Sequence, residues 1–126
     1  MSKDKFLILI VEDDISSQQY YTTILDDEFG LDILPTAKDA KQVLGKKEYD
    51  LMIIDISLPG DEDGIDLMQY IRETLKKDTP MLVITANAFP QNRSAALRAG
   101  ASEFFSKPIL SGTLIEAIKK IQGRRS

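Results

Sequence analysis

The stretch Phe6-Leu7-Ile8-Leu9-Ile10-Val11-Glu12-Asp13-Asp14 decides the reading: six apolar residues run without a break into three acids. A run of this length suits a strand buried on both faces, and it is far below the roughly 20 residues that a membrane span needs. The charged Met1 to Lys5 segment before it has no small-residue cleavage site, so the chain reads as unexported and cytoplasmic. Four further short apolar runs come later, at Leu31 to Leu34, Leu51 to Ile54, Met81 to Ile84, and Phe104 with Phe105.

Helical spacing fills the intervals. Ile15 to Phe29 places Tyr21, Ile24, Leu25 and Phe29 on one face behind a cap at Asp14, and Gly30 ends it. Thr36 caps a second helix with Asp39 three residues on, Ala40, Val43 and Leu44 form its stripe, and Gly45 stops it. A third starts near Gly64 and carries Ile65, Met68, Ile71 and Leu75. A fourth starts at Pro90, is rich in alanine and ends at Gly100, and a fifth after Ser111 buries Leu114, Ile118 and Ile121. Strand and helix alternate five times. The expected fold is therefore α/β, a doubly wound (βα)5 chain around a five-stranded parallel sheet.

Composition narrows the function. The chain has 126 residues and a mass of 14.1 kDa, which makes one domain, and no internal repeat or linker divides it. A net charge of −4 and a pI near 4.8 disfavour contact with nucleic acid or anionic membrane. Without cysteine there is no disulfide framework or thiol chemistry, and without histidine there is no imidazole base and no histidine metal site. Any chemistry must run on Asp, Glu, Lys, Ser, Thr or a metal.

The carboxyl ends of the apolar runs carry the functional groups. Glu12, Asp13 and Asp14 come directly after the first, Asp55 after the third and Thr85 after the fourth, while Lys107 stands one step beyond the fifth. Open α/β sheets bind ligands outside these carboxyl ends, so the residues converge on one rim. Carboxylates gathered there repel one another unless a hard cation joins them, and Mg2+, with oxygens from Asp13 and Asp55, fits. Asp55 then reads as a nucleophile forming an acyl phosphate, with Lys107 and the Thr85 hydroxyl stabilising the transferred phosphoryl group. Each feature also has a plain structural explanation: Glu12 to Asp14 as a helix cap, Asp61 to Asp63 as a solvated loop, Lys-Pro as a turn. An EF-hand alignment fails, since it would put Pro59 and Tyr70 at ligand positions. The joint occurrence favours phosphoryl chemistry.

The segments Ile8 to Asp14, Asp50 to Gly60, Val83 to Ala86 and Phe104 to Pro108 together make the chain resemble the receiver domain of two-component response regulators, over almost its whole length. The resemblance implies a flavodoxin-like strand order of 2-1-3-4-5, an acidic pair at Glu12 and Asp13, phosphorylation at Asp55, and a Mg2+ ligand at the Ser57 carbonyl. It further implies a switch pair at Thr85 and Phe104, a phosphate-binding Lys107, and a cis peptide between Lys107 and Pro108. The implied partners are a sensor histidine kinase or histidine phosphotransfer protein, and a downstream protein target or second copy on the face of the fourth helix, fifth strand and fifth helix. Such a domain signals rather than turning over a substrate, catalysing only its own phosphorylation and slow dephosphorylation.

Two departures stand out: Gly64 lies nine residues after Asp55 where receivers commonly have eight, and Phe104 lacks the hydroxyl of the tyrosine often found there. Only a short tail lies beyond Ile121, so the expectation is one receiver domain over 1–126, structured over about 5–122, with a basic tail at 123–126 and no output domain. Rival classes fit less well. A phosphohydrolase of the haloacid-dehalogenase type wants a carboxylate where Ser57 stands, and the acids after the first strand would repel a flavin phosphate. A phosphorylation-dead interaction module would have lost acceptor, acidic pair or lysine.

Overall fold

The computed structural model describes residues 5–124. Five strands, β1 (Leu7–Val11), β2 (Gly30–Leu34), β3 (Leu51–Ile54), β4 (Met81–Thr85) and β5 (Glu103–Ser106), alternate with α1 (Ile15–Leu25), α2 (Ala37–Leu44), α3 (Gly64–Gln69), α4 (Pro90–Arg98) and α5 (Ser111–Gly123). All pairings are parallel and the order is β2-β1-β3-β4-β5, the doubly wound arrangement expected.

The pleat divides the core. Ile8, Ile10, Leu51, Ile53, Leu82 and Ile84 face α1 and α5, while Leu9, Val11, Met52, Ile54, Met81 and Val83 face α2, α3 and α4. β1, β3 and β4 are thus covered on both faces, which explains their unbroken apolar runs. Each fully buried Ile or Leu contributes about 1.5–3 kcal/mol, so the sheet centre is the rigid part of the molecule.

Local chemistry sets the helix ends. Asp14 caps α1 by accepting from the Ser17 amide at 2.9 Å, Thr36 caps α2 through the Asp39 amide at 3.0 Å, and Asp63 and Asp66 form a reciprocal capping box on α3. Three expectations are corrected. α1 stops at Leu25 rather than Phe29, because Asp26, Asp27 and Glu28 set carboxylates at the negative end of the helix dipole. The Phe29 amide then bonds the Leu25 carbonyl, and Gly30 opens β2 instead of merely ending the helix. The third helix does not keep α-helical bonding to Leu75: Tyr70–Thr74 widens into a π-helical turn, with the Leu75 amide bonded to the Tyr70 carbonyl. There the Arg72 guanidinium donates to the Lys77, Thr79 and Gly100 carbonyls at 2.8–2.9 Å. Of the expected basic tail, Gly123 belongs to α5 and Arg124 caps it, while Arg125 and Ser126, like Met1 to Asp4, lie outside the described residues. Among the described residues no helix is long and apolar enough to cross a membrane.

Candidate functional site

Register delivers the rim. Val11 pairs with Ile54, so Glu12 and Asp55 leave adjacent strand ends side by side, and the Asp55 amide bonds the Val11 carbonyl at 3.1 Å. Thr85 pairs with Ser106, and the Lys107 amide bonds the Thr85 carbonyl at 2.9 Å. β4 separates β5 from β3, and neighbouring strands lie about 4.8 Å apart, so Lys107 and the acidic side chains meet across more than one strand spacing, within reach of a long flexible side chain. The Lys107–Pro108 peptide is cis, as the resemblance implied.

Lys107 Nζ sits 2.8 Å from Glu12 Oε1 and 3.1 Å from Asp55 Oδ2, bridging the two carboxylates. The remaining Asp55 oxygen, Oδ1, accepts from the Ser57 amide at 3.0 Å. Glu12 is nearly sealed, at 1% exposure, and Asp55 little less so, at 6%. Glu12 Oε2 accepts from the Asp14 amide at 3.0 Å, and Gln18 Nε2 donates to the Glu12 carbonyl at 2.6 Å. Glu12 Oε1 has the ammonium beside it but off the hydrogen-bonding direction, so this buried oxygen has charge compensation without a directed donor.

Burial pushes the Glu12 carboxyl above its ordinary value, Lys107 and the Asp14 amide pull it back, and the nearby Asp55 charge raises it again. For Lys107, burial works to lower the ammonium, yet the close carboxylates of Glu12 and Asp55 outweigh it and hold the group above its usual range. The rim acids therefore already have one cation among them. Sequence reasoning assigned that neutralising role to a metal and kept Lys107 for phosphate alone.

The other predicted residues are spread around this pair. Asp13 is exposed at the rim, one residue beyond the Glu12–Asp55 pair. Ser57 is exposed, in the turn that its amide closes on Asp55. Thr85 is fully buried, its Oγ1 accepting from the Asn87 amide at 3.1 Å, and among the described residues its hydroxyl makes no bond to Asp55. Phe104 is half-buried against the α2–α4 side of the core, with the Arg93 guanidinium 5.9 Å from its ring centre. The added acidic loop is tied down: Lys41 on α2 reaches Glu62 at 2.6 Å and lies 4.3 Å over the Tyr70 ring. Gln18 and Tyr20 were missed, since nothing in helical spacing marks a side chain that will bond a distant backbone carbonyl.

Among the described residues no three Asp, Glu, His or Cys side chains converge on one metal position. Mg2+ asks for less, since it binds through one or two carboxylates and keeps several waters. Asp13, exposed at the rim, and the neighbouring Asp55 and Glu12 carboxylates form an all-oxygen donor set that fits.

A doubly wound α/β fold with an acidic, lysine-bridged rim defines a class, the flavodoxin-like proteins that carry their functional groups at the carboxyl ends of the strands. Residues 8–119 match the response regulator receiver domain family, and the chain belongs to it. It is 32% identical over 115 residues to an uncharacterized 14.6 kDa protein of Leptolyngbya boryana, covering 90% of this chain and 87% of that one. It is 35% identical over 123 residues to the response regulator protein PilR of Pseudomonas aeruginosa, covering 94% of this chain but 26% of PilR. Among solved structures, the CheY-like receiver domain protein from Methanospirillum hungatei superposes with a TM-score of 0.88 at 27% identity, over 97% of this chain and 98% of that one. The chain is thus a two-component receiver domain.

Proposed function

We propose that the chain accepts a phosphoryl group on Asp55 from a sensor histidine kinase or histidine phosphotransfer protein, and signals through protein contact. The observation that carries this is Lys107 seated between Glu12 and Asp55, a cation held against a nearly buried carboxylate at the end of the central strand. One Asp55 oxygen attacks the donor phosphorus, the bond to the donor's leaving group breaks, and its electron pair departs with that group, leaving an acyl phosphate. The Ser57 amide orients the carboxylate, Lys107 follows the transferring oxygens, and Thr85 donates its hydroxyl to one of them. Asp13, Asp55 and the Ser57 carbonyl would hold Mg2+, which supplies charge neutralisation to the phosphoryl oxygens.

Phosphorylation adds nearly two negative charges and so draws in Thr85 and Lys107. Phe104, already half-buried, then moves toward the space that Thr85 leaves, and completing its burial gains only part of the roughly 1.5–3 kcal/mol of a fully buried Phe, enough to shift a two-state equilibrium about threefold to tenfold. The output surface is the face of α4, β5 and α5, where α4 is anchored chiefly by Ala96 and Ala99. Signalling by contact and in the cytoplasm belongs to the same proposal. Incubation with Mg2+ and acetyl phosphate should load the parent chain and not Asp55→Asn; equal loading of both would remove Asp55 from the reaction.

A further inference from the structure

The loop from β5 to α5 carries Lys107, yet little within the loop holds it. Pro108 has no amide hydrogen, Leu110 precedes α5 as an N-cap without a side-chain bond, and Leu110 is 75% exposed. One anchor is the Lys107 amide on the Thr85 carbonyl. The other comes from 89 residues away: Tyr20 Oη on α1 donates to the Ile109 carbonyl at 2.6 Å.

α1 is itself locked to the acidic residues of the rim. Asp14 caps it, and Gln18 reaches back to the Glu12 carbonyl at 2.6 Å. The Tyr20 bond therefore ties the loop bearing the ammonium to the helix that begins at the carboxylates. A lysine side chain has four rotatable bonds and loses much freedom when fixed, so its placement depends on how firmly its backbone is held. Without the hydroxyl, the segment between Pro108 and α5 keeps the buried Ile109 side chain as its contact but loses a directional bond.

Resting on the acceptor reading above, we infer that Tyr20 is a positioning residue for the phosphoryl reaction, its hydroxyl holding the Ile109 carbonyl so that Lys107 stays aligned between Glu12 and Asp55. The tether forms one wall of an open groove of about 550 Å3 that Lys107, Pro108 and Leu110 also line, and Tyr20 is 37% exposed. Water can replace the lost donor there, which keeps the effect modest.

The test is a double-mutant cycle on the initial rate of loading by acetyl phosphate at saturating Mg2+, with Tyr20→Phe made in the parent and in Lys107→Ala. Phenylalanine keeps the ring that lies 6.0 Å from Tyr21, so the fold is retained. Tyr20→Phe should slow loading about threefold to tenfold where Lys107 is present, and less than about twofold where it is absent. The same slowing in both backgrounds, or none in the parent, would overturn the inference and leave the acceptor reading standing. A second readout needs no phosphate: the Lys107 15Nζ–1H signal should broaden in Tyr20→Phe as the ammonium exchanges with water. An unchanged signal would overturn the tether, whereas a parent chain that takes no phosphate would overturn the acceptor reading.

Discussion

Gly64 joins the fold to the site more tightly than any side chain, and Gly64→Ala measures that join. It opens α3, and its amide bonds the Ile56 carbonyl at 2.9 Å. A Cβ added there would lie 2.2 Å from the Asp55 carbonyl oxygen and 2.8 Å from Ile56 Cα, where ordinary contact begins at 3.4 Å. These are backbone atoms next to a sheet centre, so they cannot swing aside, and α3 must retreat by more than about 1 Å. The retreat breaks the Gly64 amide bond and loosens the capping box. Overpacking together with one lost hydrogen bond costs about 2–3 kcal/mol, a fall of roughly 8–12 °C in melting temperature for a domain of this size. The Asp55 peptide moves too, so loading by acetyl phosphate should fall even at temperatures where the variant is fully folded. Gly112→Ala is the control: nothing lies within 4 Å of its Cβ, and it should be neutral or stabilising by up to about 1 kcal/mol. Calorimetry of both variants decides the matter. If Gly64→Ala melts with the parent and loads at the same rate, the close contact between α3 and the Asp55 peptide is not a constraint.

Three other perturbations probe separate parts of the molecule. Lys47, first, and then the Tyr49 hydroxyl hold the Asp32 carboxyl below its ordinary value, so its stabilisation is present above the unfolded value of about 4 and is lost as pH falls through the folded one; urea unfolding should show the gap between parent and Asp32→Asn closing on acidification. Arg72→Met removes donors from three backbone carbonyls that join the π-helical turn to Gly100, and should cost about 2–3 kcal/mol in the same assay without slowing phosphoryl loading per folded molecule. Thr85→Ala should still load yet leave the Arg93–Phe104 pair unmoved, and phosphorylation-induced NMR shifts at those residues equal to the parent's would refute coupling through the hydroxyl.

Much of this architecture is legible in the sequence because burial on both faces leaves a simple trace. The runs at Ile8 to Val11, Leu51 to Ile54 and Met81 to Ile84 admit no polar residue, and the acids and hydroxyl after them mark where the strands end. The edge strand β5 shows in the sequence only as Phe104 and Phe105, since Glu103 and Ser106 at its ends read as polar. The π-helical turn leaves no mark, because apolar spacing alone does not separate it from an α-helix over a single turn. At the site, strand ends suffice to place Glu12, Asp55 and Lys107 on one rim. That the ammonium bridges both carboxylates depends on register and side-chain reach, which spacing along the chain does not encode. Tyr20 lies a step further off, for its partner is a backbone carbonyl and carries no residue-specific sign.

The most direct test of the account is to load the chain with acetyl phosphate and Mg2+, reduce it with borohydride, and find the modified position by mass spectrometry. Borohydride cleaves an acyl phosphate and converts an aspartyl phosphate to homoserine, which marks the acceptor. One such conversion per loaded chain is expected, at position 55. Stable loading without conversion there, or conversion at position 13 or 14 instead, would contradict it.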